Sequence, residues 1–438
     1  MNAPFLSARV LRLGLLALLF AALLTGCEAA IPTAEPNPVL VTLPAGAGQP
    51  TETPEPPPTV TPVPTPTLKP IAATATSPAG LSATRLLWQL DDLIRPTALA
   101  VTDRRLAAVT ADGRFLWVDA QTGRVEASAF LWPGILESET QGDVFTDGVL
   151  AAVSVFEQGT NAQTGRATSR SRLAIYDAGA NRLWELPQMP SGRFYSAALA
   201  DDTVIAGTWP YGYWDNALAA YDLFTGEQVW RVNENQTGFR QIVYHDGALY
   251  VLLSERSRAA AVVSYDSRTG EERWRWTDEA VLDPERIILD GERLFVATAS
   301  SITALDAASG APTWRISFDI APEAGIVFHQ GLLYVAPVPT VELGFRPGVV
   351  GIDSFSGELA WHSLIGLVAD ALAVGDQALW VVGKDYDAGL VTLSGLEPAT
   401  GLERLRLPIA GGTDVIYRLY PAGNRVYVLG QTLQVYGY

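Results

Sequence analysis

The sequence predicts an all-β protein built from repeated four-stranded sheets, and three observations support this fold class. A short pattern with an acidic residue, a Thr-Gly-like pair and a Trp recurs about every 44 residues. Two short apolar runs around a tight turn precede most copies of this pattern. Many of these runs are apolar at consecutive positions, which is typical of strands buried on both faces. Together these observations predict the blades of a β-propeller.

The repeated pattern is clear in Tyr221–Trp230, which reads YDLFTGEQVW. Asp222 ends one strand, and its carboxylate can accept hydrogen bonds from the turn amides that follow. Gly226 can adopt the positive φ that closes the turn, and Trp230 lies in the next strand. We therefore interpret this stretch as a turn between strands and not as a ligand pocket. The acidic residues of the seven copies are Asp119, Asp177, Asp222, Asp266, Asp306, Asp353 and Glu397.

The two ends of the chain complete the repeat series. The C-terminal run GQTLQVYGY matches the strand before the acidic residue, but it has Gly437 at the acidic position. The missing Trp-containing strand is supplied by Thr84–Leu90, which includes Trp88. Seven internal units and this closing unit predict eight four-stranded blades, with the N-terminal strand closing the last blade. A seven-bladed ring is the alternative if unit 117–127 or unit 396–405 is not a full blade.

The repeated motif resembles the tryptophan-docking repeat of pyrrolo-quinoline quinone (PQQ)-like propellers, and the resemblance covers residues 83–438. It implies that one Trp in each blade docks against the neighbouring blade, although Ala127 and Leu405 occupy the Trp position in two units. The docking residues implied are Trp88, Trp184, Trp230, Trp274, Trp314 and Trp361.

Two branches of this family suggest different functions. One contains quinone-dependent dehydrogenases, which hold PQQ and Ca²⁺ in a pocket that in many members includes a vicinal Cys pair. The single cysteine of this chain, Cys27, cannot form such a pair. The other branch is the propeller lipoprotein of the outer-membrane β-barrel assembly machinery, which this chain resembles in its lipoprotein-type N-terminus and blade number. The long tether described below departs from that branch.

The N-terminal region predicts export and lipid anchoring. Residues 1–26 combine two arginines with an apolar run, as in a signal peptide. The run Leu24–Cys27, LTGC, is typical of a lipoprotein, in which Cys27 receives a diacylglycerol. Residues 27–82 are rich in Pro and Thr and predict a disordered tether. The expected location is the extracytoplasmic side of a bacterial membrane.

The composition argues against several function classes. The formal net charge of −17 disfavours nucleic-acid binding. No zinc-protease or serine-hydrolase motif is present, and the three histidines fall in separate turns or after a Trp. We therefore predict no catalytic residue, no metal site and no resident cofactor.

The loops suggest where function lies. Connections on one rim of the ring are predicted to be short and uniform, whereas those on the other rim are long and dissimilar, and function concentrates in such loops. One long loop carries Trp209, Tyr211, Tyr213 and Trp214, which suits contact with a protein or glycan. The expected function is a non-catalytic scaffold that binds envelope proteins or wall polymers. The alternative is a PQQ-dependent dehydrogenase or other small-molecule binder that uses the central channel, with PQQ and Ca²⁺.

Overall fold

The computed structural model describes twelve stretches of the chain. No helix occurs within them, and so none that could cross a membrane. The signal peptide, Cys27 and the tether lie outside the described residues. The described residues are 84–90, 96–131, 141–160, 167–186, 192–210, 217–233, 238–254, 260–278, 285–298, 301–317, 325–336 and 348–438.

The first strand, β1 (Arg85–Gln89), belongs to the last blade, and the next four blades follow in chain order. Blade 1 contains β2 (Pro96–Val101), β3 (Arg105–Thr110), β4 (Arg114–Asp119) and β5 (Val125–Phe130). Blade 2 contains β6 (Gln141–Thr146), β7 (Ala151–Thr160), β8 (Ala167–Tyr176) and β9 (Arg182–Glu185). Blade 3 contains β10 (Gly192–Ala200), β11 (Thr203–Pro210), β12 (Ala217–Asp222) and β13 (Gln228–Asn233). Blade 4 contains β14 (Gly238–His245), β15 (Ala248–Ser254), β16 (Ala260–Asp266) and β17 (Glu272–Asp278).

The remaining blades repeat the same antiparallel order. Blade 5 contains β18 (Arg286–Leu289), β19 (Arg293–Ala297), β20 (Ser301–Asp306) and β21 (Pro312–Ser317). Blade 6 contains β22 (Ile326–His329), β23 (Leu332–Val335), β24 (Val349–Asp353) and β25 (Leu359–Ser363). Blade 7 contains β26 (Val368–Val374), β27 (Leu379–Asp385), β28 (Leu390–Leu396) and β29 (Glu403–Pro408). Blade 8 contains β30 (Arg418–Ala422), β31 (Arg425–Leu429) and β32 (Leu433–Gly437), and β1 completes it.

The ring closes as the sequence predicts. The first strand of each blade contacts the first strand of the next, and β30 contacts β2, so these eight strands surround a central channel. Strand β1 pairs with β32, with Trp88 opposite Val435. The described residues therefore form eight four-stranded blades, and the seven-bladed alternative is excluded.

The hydrophobic core is divided among the junctions between blades. Each of eight buried clusters joins residues of two adjacent blades, and each pair of neighbours has one cluster. In β15, residues Leu249, Val251, Leu252 and Leu253 are almost wholly buried, although successive residues point to opposite faces. This burial explains the runs of consecutive apolar residues, because both faces of a blade pack against neighbours.

Candidate functional site

The antiparallel order of the blades gives the molecule two different rims. The turn rim carries the connections from first to second strand and from third to fourth strand. The loop rim carries the connections from second to third strand and from each fourth strand to the next blade.

The turn rim is uniform because the repeated acidic residues organise it. In blade 4 the carboxylate of Asp266 accepts hydrogen bonds from the backbone N–H groups of Arg268 and Thr269. The hydrogen bond from Arg273, opposed in part by burial, and those from the turn amides lower the pKa of Asp266 to about 2. Gly270 closes the turn at φ 73°. Unit 175–184 departs from the expected glycine, because Ala180 takes the positive φ of 59° in its shorter turn.

The indoles predicted to dock between blades lie at the turn rim. In five consecutive junctions, from blade 2 to blade 7, the indole Nε1 donates to the carbonyl that follows the acidic residue of the next blade. The donor–acceptor distances are 2.8 Å for Trp184 to Leu223, 2.8 Å for Trp230 to Ser267, 3.0 Å for Trp274 to Ala307, 3.0 Å for Trp314 to Ser354 and 3.1 Å for Trp361 to Pro398.

The turn glycine and the indole fit each other sterically. A Cβ added to Gly270 would lie 2.6 Å from Cε3 of Trp230, closer than carbon atoms approach each other. The glycine therefore provides both the backbone conformation and the space for the ring.

Two tryptophans that the repeat motif does not mark take part in the remaining junctions. Trp117 lies on β4 directly opposite Ala127, and its Nε1 donates to the carbonyl of Asp177 in blade 2 at 2.8 Å. Trp380 on β27 lies in the register row that contains Leu405 and packs against Tyr438, with ring centroids 4.9 Å apart. The sequence signal for Trp117 was its position opposite the vacant Trp slot, two residues before the acidic Asp119.

The junction between blades 8 and 1 uses Trp88 differently. Its ring lies against Gly123, where an added Cβ would be 2.6 Å from Cε3. No described acceptor bonds to its Nε1. Instead, the Tyr427 hydroxyl donates to the Ala120 carbonyl at 3.3 Å. Trp88 and Tyr427 pack edge to face with centroids 6.2 Å apart.

The loop rim differs from blade to blade. In blade 2, β7 and β8 pair as far as Thr160 and Ala167, beyond the last rung that β6 shares with β7, so this hairpin extends past its blade. In blade 3, Trp209 pairs with Arg193 in the extension of β10 and β11. The side chain of Trp209, and the residues Tyr211, Tyr213 and Trp214, lie outside the described part of the structure.

Blade 7 presents large apolar side chains on the loop rim. Leu364 precedes blade 7, and Ile416 follows this blade. Tyr386 and Leu390 lie at the connection between its second and third strands, β27 and β28. Their exposed fractions are 56%, 61%, 54% and 67%, respectively. We call these four side chains the blade 7 patch. Several exposed apolar residues on one part of a surface mark a site of interaction more often than single ones do.

The described residues contain no group of three or more His, Cys, Asp or Glu side chains that could hold a metal ion. His245 and His329 lie at tight turns of blades 4 and 6, and His362 lies on the fourth strand of blade 6. A shallow cleft of about 740 Å³ lies on the turn rim between blades 1 and 2 and is lined by side chains of both charges. Its lining does not group these charges into a recognisable catalytic set.

The closed ring of repeated blades makes this protein an eight-bladed β-propeller with a PQQ-like repeat. The family model of the outer membrane protein assembly factor BamB matches residues 214–363 and 298–437, which together cover just over half of the chain. The chain therefore belongs to this family. No curated protein matches the sequence.

Several solved structures share the fold. The computationally designed Ika8 protein aligns with a TM-score of 0.61 and 14% identity, over 81% of this chain and 99% of that one. BamB from Moraxella catarrhalis aligns with a TM-score of 0.57 and 13% identity, over 81% and 100%. The quinohemoprotein alcohol dehydrogenase ADHIIG from Pseudomonas putida HK5 aligns with a TM-score of 0.56 and 13% identity, over 82% and 77%. At these identities the similarity concerns the fold.

Proposed function

We propose that this chain is a non-catalytic, lipid-anchored propeller of the bacterial cell envelope that binds envelope proteins or wall polymers through its loop rim. The observation that carries the proposal is the difference between the rims. On the turn rim the acidic side chains bind the backbone N–H groups of the turns, and exposed apolar side chains such as Phe224 and Phe355 lie in separate blades. The loop rim has blade-specific connections and the four exposed apolar side chains of the blade 7 patch. A surface of exposed apolar side chains gains free energy when a partner covers it.

The membrane attachment in this proposal rests on the sequence of residues 1–82. Lipidation at Cys27, followed by a Pro-rich and Thr-rich tether over residues 27–82, places the folded domain 83–438 on the extracytoplasmic side at a distance from the membrane. The family description, an outer membrane protein assembly factor, supports a role among envelope proteins.

Site-specific photo-crosslinking in membranes tests the interaction surface. A crosslinker at Tyr386 or Ile416 on the loop rim is expected to give discrete adducts with a partner. Replacement of residues 208–216 by Gly-Ser is expected to reduce the yield of these adducts if that loop shares the interface. The matched control is Phe224, which is exposed on the turn rim. Equal adducts from both rims, or none from the loop rim, would contradict the proposal.

Two further measurements test the anchor and the absence of catalysis. Cys27→Ala is expected to abolish palmitate labelling and to release the protein from membranes.

Addition of PQQ and Ca²⁺ is expected to change neither the melting temperature nor dye-linked alcohol oxidation. A cofactor-dependent increase in both would favour the dehydrogenase alternative.

A further inference from the structure

The blade 7 patch lies at three connections of the loop rim, and a buried carboxylate joins two of them. Asp370 on β26 accepts a hydrogen bond from Nζ of Lys384 at 2.5 Å and another from the backbone N–H of Tyr417 at 2.8 Å. Lys384 lies two residues before Tyr386. Tyr417 directly follows Ile416. The same carboxylate therefore fixes the backbone next to two of the four patch residues.

The other two patch residues are placed by further contacts of blade 7. The hairpin of β27 and β28 brings Leu390 opposite the residue that precedes Tyr386. Arg406 on β29 donates from Nη2 to the carbonyl of Ile365 at 2.7 Å, and this contact holds the connection that carries Leu364. All three connections are thus attached to blade 7, so a partner that covers the patch has less loop entropy to remove.

The three connections carry negative charge and no positive charge. They are residues 364–367, 386–389 and 409–417. They contain Asp387 and Asp414 but no Lys or Arg, and both aspartates are exposed. Asp387 is adjacent to Tyr386, and Asp414 lies two residues before Ile416. Acidic groups therefore lie beside exposed apolar side chains of the patch.

Most cations at the borders of these connections are bound to carboxylates of blade 7. Lys384 forms its buried ion pair with Asp370. Arg406 donates from Nε and Nη2 to the two carboxylate oxygens of Glu403, at 2.7 and 2.8 Å. Arg418 is exposed, but it begins β30, one of the first strands that surround the channel. The described surface around the patch therefore has an excess of negative charge.

The charge next to the patch indicates the chemistry of its partner, an inference that rests on the proposed function. We propose that the blade 7 patch binds a polypeptide surface in which Lys or Arg residues flank apolar side chains. The apolar side chains cover the patch, and the cations lie opposite Asp387 and Asp414.

The same charges disfavour other occupants of the patch. A second copy of this chain brings like charges together, because both copies present the same aspartates. The protein as a whole carries a net charge of −17, which also repels anionic lipid and acidic wall polymers. A basic protein surface is the occupant that both the apolar side chains and the charges favour.

Photo-crosslinking from Leu364 in the full-length, membrane-bound protein tests the role of charge, since the connection of Leu364 carries neither aspartate. We expect Asp387→Asn combined with Asp414→Asn to lower the adduct yield about fivefold. The matched control combines Asp202→Asn with Asp246→Asn, which removes the same charge from exposed positions on the turn rim. The control should leave the yield unchanged.

Fluorescence anisotropy with two labelled peptides tests the same surface on the purified protein. One probe contains Leu and Lys, and the other contains Glu at each Lys position. We expect the Lys peptide to bind the parent and the turn-rim control equally, and the Asp387→Asn, Asp414→Asn variant about fivefold more weakly. Ile416→Ser should also weaken the Lys peptide, and the Glu peptide should not bind.

The outcomes separate this inference from the proposed function on which it rests. Discrete adducts of equal yield in the two double variants overturn the inference and leave binding at the loop rim in place. Adducts of twice the mass of the chain, equal binding of the Lys peptide to the two double variants, or tighter binding of the Glu peptide also overturn it. The absence of any adduct from the loop rim contradicts both proposals.

Discussion

Five consecutive junctions of the propeller are built alike, whereas the three junctions nearest the chain ends are each built differently. From blade 2 to blade 7, an outer-strand indole donates to the turn of the next blade and lies over its glycine. In the other three junctions, Trp117, the Trp88–Tyr427 pair and the Trp380–Tyr438 pair fill the equivalent space. The comparison indicates that the fold requires an aromatic group at each junction but does not require it on one particular strand.

The junction between blades 7 and 8 also contains a buried ion pair. Lys384 and Asp370 of blade 7 are in contact at 2.5 Å, and their side chains are 6% and 7% exposed. Asp370 also accepts the backbone N–H of Tyr417, just before β30, at 2.8 Å. These contacts link blade 7 to the start of blade 8 on the loop rim.

Removal of the closing strand is expected to have the largest effect, because it eliminates one of the three irregular junctions. Deletion of residues 84–90 exposes the edge of β32 and removes Trp88 from the junction with blade 1. We expect loss of cooperative unfolding and of soluble monomer, measured by circular dichroism and size-exclusion chromatography. Deletion of residues 28–82 is the control and should leave the melting temperature unchanged. A stable, monomeric product without residues 84–90 would refute the closure.

Trp117→Ala tests whether the indole of Trp117 contributes as much to the free energy of unfolding as an indole of a regular junction. Trp117 is fully buried, so we expect a loss of about 3–5 kcal/mol in unfolding free energy, measured by denaturant titration. Trp314→Ala should cost less, because Trp314 is only partly buried. Ala127→Trp should not rescue Trp117→Ala, because the turn of blade 2 has Ala180 where the regular turns have a glycine. The Cβ of Ala180 occupies the space that the indole ring would need. An equal loss in the two single variants would show that the junctions are energetically alike.

A pair of glycine variants sharpens the account of the regular junctions. Gly270→Ala must adopt φ 73° and also displaces the Trp230 ring, so we expect a loss of about 2–4 kcal/mol in unfolding free energy. Gly331→Ala has a similar φ of 83° but nothing within 4 Å of the added Cβ, so only the backbone strain of about 1–2 kcal/mol remains. Equal losses in the two variants would show that the indole contact contributes nothing.

The acid sensitivity of the turns is the smallest expected effect. The pKa of Asp266 is lowered to about 2 in the folded protein, so its contribution to stability is complete above the unfolded pKa of about 3.9. That contribution is lost as the pH falls from about 4 to about 2. We expect Asp266→Asn to flatten this part of the plot of stability against pH, measured by thermal unfolding. An unchanged slope would mean that Asp266 titrates normally.

The sequence alone predicted the acidic turns, the closure of the ring and eight blades, although it left seven blades open until the structure excluded them. These features are local and periodic, because the hydrogen bonds of each turn join residues within four positions of its acidic residue. One example is the backbone N–H of Thr269, which donates to the carboxylate of Asp266. The strand Thr84–Leu90 could be assigned for the same reason, since it supplies the element missing from the last repeat.

Only the tertiary structure decided which residues fill the irregular junctions. Trp117 and Trp380 lie outside the Trp position of the repeat, so the repeat spacing did not assign them to junctions, although the vacant position at Ala127 was a signal that another residue fills the first one. Contacts between distant repeats depend on register and on the closed geometry of the ring, which a one-dimensional pattern does not contain.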